Sequence, residues 1–350
     1  MGYLNYTLIA LILGLSTSVL LKKSSTQREI KGKSVVIIGA SSGIGKETDI
    51  QNRFLYIFFS NNNVMPVFIA LEFAREGANL VLNARRESVL ESVVQECKNI
   101  NKDIKIVTVA GDITESKTQE LVIQSTINKF KSIDFLVINA GAISVKSISE
   151  ILEINPERII SGSENEILEN QVPKTEKLKS ALTKIMDINF YAPVEISSLF
   201  LPYLIKNQGS IIVVSSMAGI IGAPTRSLYS ASKFALNGYF NSLRMELAKY
   251  KVHVALICPG TVNTNLRLSA VDINTDTPKS GGGDGHSMDN ISGSKSGKLE
   301  PQTCAKYIVE AGKRNSLLVC IPFSYQISVY INTFFPSLVD YFAKKKYGYL

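Results

Sequence analysis

The chain has no tryptophan and only two histidines, His253 and His286, among its 350 residues. A Ser-His-Asp triad or a histidine-based metal site is therefore poorly supplied, and no metal ligand is assigned. Cysteine is scarce as well. Cys97, Cys258, Cys304 and Cys320 stand far apart, with no Cys-x-x-Cys. This excludes a disulfide framework and a zinc ribbon, and it fits a reducing compartment. A concentrated basic surface is also missing. The net charge is +8, but Lys and Arg are spread out, with short clusters only at Lys22-Lys23, Arg85-Arg86 and Lys344-Lys345-Lys346. They do not interleave with aromatics in one block, so no nucleic-acid partner is expected. The 45% apolar content excludes a disordered chain, and the length can bury one large core.

Tyr3 to Leu21 carries no charge, and Lys22-Lys23 closes it. The length suits a single membrane span. A cleaved signal peptide is the rival, but a positive leading region is missing and Ser16-Thr17-Ser18 is a weak cleavage site. Residues 1–23 are read as an N-terminal transmembrane anchor. The nearby positive charge (Lys22, Lys23, Arg28, Lys31, Lys33) follows the span, which puts the main domain on the cytosolic side. A glycan on the Asn290-Ile-Ser292 sequon would contradict that orientation.

From Ser34 the chain alternates apolar strands with helical stretches, the pattern of a parallel sheet covered on both faces. The expected architecture is α/β: a Rossmann-like, doubly wound parallel sheet of about seven strands in a single domain, residues 30–320. The first strand, Ser34-Val-Val-Ile-Ile, runs into Gly39-Ala-Ser41-Ser-Gly43-Ile44-Gly45. A strand ending in such a loop and entering a helix offers backbone N–H groups and a positive helix end to a pyrophosphate. The second strand, Asn79–Asn83, ends without an acidic residue and is followed by Arg85, the residue type that suits the 2′-phosphate of NADP. A third strand, Ile104–Ala110, ends at Asp112, placed either to accept from an adenine amino group or to cap the next helix. A fourth, Ile133–Ile138, leads to Asn139-Ala-Gly141. A fifth, Gly209–Val214, delivers Ser215-Ser216 at the edge where open α/β sheets bind ligands. A sixth, Val252–Ile257, makes His253 a strand residue, and Leu317–Cys320 reads as a seventh.

Three stretches interrupt this pattern. Thr48–Phe68 falls inside a helix; joining Glu47 to Ile69 would restore one apolar stripe through Ile44, Ile69 and Phe73. It reads either as a looped-out segment or as an intron left in the message. Ser147–Leu182 is polar and reads as an exposed loop. Asp272–Lys298 is rich in Gly, Ser and Asp, with His286 solvated. Residues 321–350 form an apolar and basic C-terminal segment, read either as a membrane-interface element or as a packed helix pair.

Tyr229 and Lys233 lie four residues apart in a run with helical apolar spacing. On a helix they share one face. A cation beside a phenol lowers its pKa from about 10. A phenol tuned in this way exchanges protons with an alcohol near neutral pH.

These motifs together resemble the short-chain dehydrogenase/reductase family over residues 33–265. They are Gly39-Ala-Ser-Ser-Gly-Ile-Gly45, Asn139-Ala-Gly141, Asn189, Ser216, Tyr229-x-x-x-Lys233 and Pro259-Gly-x-Val-x-Thr264. With its N-terminal apolar stretch the chain looks most like the membrane-anchored members, dehydrogenase/reductase 7 and the 11β-hydroxysteroid dehydrogenases. Ile38 and Ile138 depart from the family's usual Thr and Asn. The resemblance implies Tyr229 as general acid/base and Lys233 as the group that lowers its pKa and holds the nicotinamide ribose. Ser216 would bind the substrate oxygen, and Asn189 would support a water in a proton relay. Gly39, Ser41, Gly43, Ile44 and Gly45 would line the phosphate loop. Asp112 and Asn139 would flank the adenine side, Arg85 would select NADP(H), and Thr264 would contact the carboxamide. It further implies an endoplasmic reticulum membrane, a small lipophilic substrate such as a steroid or retinoid, and a homodimer. A 3-ketosphinganine-type reductase and a catalytically weak membrane-anchored scaffold remain the alternatives.

Overall fold

The computed structural model describes residues 27–40, 65–161, 173–264, 266–267, 270–272 and 298–350. The expected anchor at 1–23, the loop residues Ser41, Gly43, Ile44 and Gly45, and His286 lie outside the described residues.

Seven parallel strands form one sheet: β1 (Ser34–Ile38), β2 (Asn79–Ala84), β3 (Ile106–Ala110), β4 (Phe135–Ile138), β5 (Ser210–Val214), β6 (His253–Pro259) and β7 (Leu318–Ile321). Their spatial order is β3-β2-β1-β4-β5-β6-β7. The order reverses direction between β1 and β4, so their carboxyl ends flank a crevice of the kind that receives ligands in such sheets. The strands read as unbroken Val, Ile and Leu because both faces are covered. Side chains alternate between those faces. Val35 and Ile37 belong to one apolar core with Leu80, Leu82 and Phe73. Val36 and Ile38 belong to the other, with Val81, Leu136, Ile211 and Val213.

The first core is closed by α1 (Met65–Arg75), α2 (Glu87–Ile100) and α9 (Pro301–Lys313). The second is closed by α3 (Ser116–Phe130), α7 (Ala192–Asn207) and α8 (Ser227–Leu247). In α8 the buried positions Leu228, Tyr229, Ser232, Lys233, Leu236, Phe240, Leu243 and Leu247 recur at helical spacing. A turn at Ala248–Tyr250 follows, and Lys251 takes a left-handed conformation that stops the helix.

Helix α1 is described from Met65, so the last four residues of the stretch expected to be foreign to a helix, Met65–Phe68, are helical. Pro66 sits in the first turn, where its missing N–H leaves no bond unmade. The exposed loop expected over Ser147–Leu182 is instead largely helical where described: α4 (Ile148–Leu152), α5 (Pro156–Ser161) and α6 (Thr175–Met186). Ser147 and Glu150 form a reciprocal cap at the start of α4. Glu153 pairs with Lys174 and Lys177, tying the end of α4 to the start of α6. Ala181 and Ile185 bury one stripe of α6, a period hidden in the sequence by its many lysines.

The C-terminal segment is a helix pair, α10 (Phe323–Phe334) and α11 (Pro336–Tyr347), with Phe323, Phe334, Phe335 and Phe342 exposed. The continuous helical run Thr175–Asn207 is long and apolar enough to cross a membrane. Its residues Asn189, Ile196, Phe200 and Leu204 are nevertheless fully buried within the domain. Two of the charges counted for membrane orientation serve the folded domain: Arg28 bonds Asn315 and the Gln208 carbonyl, and Lys33 pairs with Asp134.

Phe200 on α7 is wholly buried, whereas its neighbour Leu199 is 42% exposed. Phe200→Ala is expected to destabilise the protein by about 3–5 kcal/mol in urea unfolding. Leu199→Ala should stay within about 0.5 kcal/mol of the wild type.

Candidate active site

Strand β4 ends in Asn139-Ala140-Gly141, β5 ends in Ser215-Ser216, and α8 lies across both. Asn139 donates from Nδ2 to the Gly39 carbonyl at 3.3 Å, and its Oδ1 is buried without a partner. Gly39 has φ +81°, and a Cβ there would stand 2.6 Å from the Ala140 Cα. Only glycine fits this position, where the β1 loop passes against the β4 loop. The N–H groups of Gly39 and Ala40 both bond the Asn83 carbonyl, so the β1 loop is tied to the end of β2. Arg85 follows at once and is exposed. Its neighbour Arg86 has its pKa lowered by burial and, to a lesser degree, by the positive charge of Arg85. Asp112 uses Oδ1 to accept from the N–H and hydroxyl of Thr114, and so holds the turn before α3.

Tyr229 and Lys233 face the same way from α8, as the four-residue spacing requires. The Lys233 Nζ stands 6.0 Å from the Tyr229 ring centroid and donates to the Val214 carbonyl at 3.3 Å. The ammonium therefore lies over the ring, with its hydrogen bond on Val214. The expected lowering of the phenol pKa is reversed here. Burial raises it, opposed by a hydrogen bond with Ser216 and by the Arg226 charge. Lys233 is also buried, at 4% exposure, with no carboxylate in ion-pair range among the described residues. Burial pushes its pKa down to about 8.

Ser216 is extended, and its Oγ accepts from the Ala218 N–H at 3.1 Å, starting the turn Met217–Gly219. Asn189 sits in a π turn (Asp187–Tyr191) between α6 and α7. Its Oδ1 accepts from the Ala142 N–H at 2.8 Å. Its Nδ2 donates to the Ala142 carbonyl and to the Ser232 hydroxyl, each at 2.9 Å. The side chain is thus a clamp between the β4 loop and α8, both ends of it engaged. Ser232 was absent from the sequence reading; it lies on the same helix, one residue before Lys233.

Tyr229 stands between two cavities. The smaller, about 80 Å³, is lined by Asn139, Gly141, Lys233, Thr264 and the first residues of α1, Met65 and Pro66. The larger, about 460 Å³, is entered by Ser216 and Tyr229 and roofed by α10 and α11. That volume is typical of a small-molecule site. Around the smaller cavity, an unpartnered amide oxygen on Asn139, an unpartnered hydroxyl on Ser215 and a buried ammonium fit the hydroxyls and carboxamide of a nicotinamide nucleotide. The structure brings together Gly39, Asn139, Ser216, Tyr229, Lys233 and Thr264, with Asn189 supporting them. Arg85 and Asp112 lie farther out, at the ends of β2 and β3.

The short chain dehydrogenase family model matches residues 67–273. The chain belongs to this family of oxidoreductases. It is 32% identical to 11-beta-hydroxysteroid dehydrogenase-like 4A of Arabidopsis thaliana, over 69% of this chain and 66% of that protein. It is 28% identical to dehydrogenase/reductase SDR family member 7B of Xenopus laevis, over 91% and 83%. Among solved structures, a short chain dehydrogenase/reductase from Burkholderia phymatum in complex with NAD superposes with a TM-score of 0.65. The two share 19% identity over 89% of this chain and 96% of that one.

Lys233 generates a pH dependence of stability. Between about pH 8 and its ordinary 10.5 the unfolded chain keeps the proton that the folded protein has shed. Stability therefore rises with pH across that window. In urea unfolding without nucleotide, Lys233→Met should be more stable than wild type at neutral pH, and the gap should close towards the top of the window. A gap that stays constant with pH would place its cause elsewhere.

Proposed function

We propose that the protein is an NADP(H)-dependent oxidoreductase that interconverts a carbonyl and a secondary alcohol on a lipophilic substrate at a membrane surface. The observation that carries this reading is the position of Tyr229 and Ser216 at the wall between a small polar cavity and a large apolar one. A nicotinamide cofactor bound in the smaller cavity supplies or accepts the hydride. Asn139, Lys233 and Thr264 would hold it there.

Ser216 Oγ and the Tyr229 hydroxyl then meet the substrate oxygen from the protein side. In reduction, Tyr229 gives its proton to that oxygen as charge develops on it. Ser216 donates a hydrogen bond to the same atom and stabilises the charge. Burial, which raises the phenol pKa, keeps the proton on Tyr229 until the oxygen calls for it. Oxidation reverses each transfer.

The apolar lining of the larger cavity, with Ile143, Met217, Ile221, Leu266 and Phe342, supports a lipophilic substrate. Arg85, with no acidic residue at the end of β2, supports NADP(H) over NAD(H). The exposed aromatics of α10 and α11 beside Lys344, Lys345 and Lys346 support contact with an anionic membrane surface. The names of the hydroxysteroid dehydrogenase relatives agree with a steroid or related lipid, and an endoplasmic reticulum membrane is part of the same reading. The N-terminal anchor and cytosolic orientation belong to the same proposal.

Tyr229→Phe should lower kcat by roughly 10²- to 10⁴-fold, the usual share of a positioned acid/base. NADPH binding, followed by fluorescence titration, should survive the change. Unaltered turnover would remove Tyr229 from the chemistry, and binding without turnover in the wild type would favour the scaffold. Arg85→Ala should weaken NADPH by about ten- to a hundredfold, the worth of a hydrogen bond to a charged group, and leave NADH nearly unchanged. Equal effects on both nucleotides would end the assignment to NADP(H).

A further inference from the structure

Arg226 enters the reading above only through its charge on the Tyr229 phenol, yet it is among the most deeply buried charges of the fold, at 4% exposure. It precedes α8 directly, with a non-helical backbone, and lies three residues before Tyr229, close enough for its charge to act on the phenol. Lys233 follows Tyr229 by four residues and lines the small cavity. Arg226 lines the large cavity and not the small one.

Its Nη1 donates to the carbonyl of Val145 at 3.2 Å and to the carbonyl and hydroxyl of Thr225, each at 2.9 Å. Its Nη2 is buried and has no hydrogen-bond partner among the described residues. The ring of Tyr347, at the end of α11, faces the guanidinium carbon at 5.9 Å. A buried guanidinium with an unused donor group is costly unless something pairs with it.

The one nearby carboxylate among the described residues is already committed. Asp272 attracts Arg226 through space, but its Oδ2 accepts from the Ser144 hydroxyl and the N–H groups of Val145 and Lys146, its Oδ1 shares the Val145 N–H at 3.1 Å, and neither oxygen bonds Arg226. Arg267 adds a second positive charge that acts on Arg226. The described lining of the large cavity includes Arg226, Arg267 and Lys346, and neither an aspartate nor a glutamate. An otherwise apolar cavity thus carries positive charge on three side chains that do not line the smaller one.

We propose that the substrate is an amphipathic carboxylate: an apolar body bearing the reacting carbonyl or alcohol, with an acid group that pairs with Arg226 Nη2. This rests on the oxidoreductase reading of the same cavity and names its substrate class. The Tyr347 ring is the part of the lining that gives way as the carboxylate arrives. Arginine suits the task because its planar fork matches the two oxygens of a carboxylate.

The test is a binding measurement on the full chain in detergent, without turnover. Oleate and its methyl ester compete for a fluorescent apolar dye in the cavity, with NADPH present. Oleate should bind at least about tenfold tighter than the ester, the worth of one charge-assisted hydrogen bond. Arg226→Met should erase that ratio while ester affinity stays within about twofold, and Arg226→Lys should keep part of it. Equal affinity of the two ligands in the wild type overturns the proposal with no variant needed. An equal loss for both ligands in Arg226→Met also overturns it, because that is the mark of a purely structural arginine. A carboxylate preference in a protein that binds no NADPH would sink the oxidoreductase reading and leave the acid site standing.

Discussion

Asn189 places its whole side-chain amide between two segments that reach the site from different parts of the chain. Ala142 follows β4, and Ser232 sits on the helix that carries Tyr229 and Lys233. Every one of these bonds is buried, where leaving a single partner unmade costs about 1–3 kcal/mol. The clamp therefore fixes the distance between the β4 loop, which walls the small cavity, and the face of the helix that presents the phenol. The π turn serves this end: one extra residue in the helical repeat turns Asn189 inwards at that point. Replacing the amide with an apolar side chain would leave the N–H and carbonyl of Ala142 and the Ser232 hydroxyl short of partners together.

The sheet was legible because its strands are continuous apolar runs bounded by glycine and polar residues, and a parallel sheet buried on both faces demands that pattern. The Tyr229–Lys233 pairing was legible because its spacing is set by the helix itself. The consequence of that pairing was not legible. Spacing says that a cation is near a phenol; it does not say that the ammonium lies over the ring and bonds Val214 while burial governs the hydroxyl. Helix α6 was hidden because its lysines mask a narrow apolar stripe, and the tie from Glu153 to Lys174 and Lys177 is a contact between residues distant in sequence. Arg226 carried a usable signal, since it stands directly before the helix that presents Tyr229. Its burial depends on α11, more than a hundred residues later, and that could not be read locally.

Desolvation links these features. The same exclusion of water raises the Tyr229 phenol, lowers the Lys233 ammonium and leaves Arg226 with an unused donor. Each costs the fold stability, and each of these side chains lines one of two adjoining cavities. A structure selected for stability alone would place apolar residues at these positions. Charged and phenolic groups held there in spite of burial are the expected signature of a site that completes itself with bound molecules.

The C-terminal helices meet the sheet at one unusual point. The Gly260 N–H bonds the Ile321 carbonyl, and a Cβ on Gly260 would overlap the ring of Tyr325 in α10. The glycine that ends β6 in Pro259-Gly260 thus also acts as the seat of the roof. A methyl group added there would push the roof away from the floor of the pocket. The ceiling height of the larger cavity is therefore written into the β6 turn, so that variation among the exposed aromatics can change what the outer surface meets without altering the clearance beneath it.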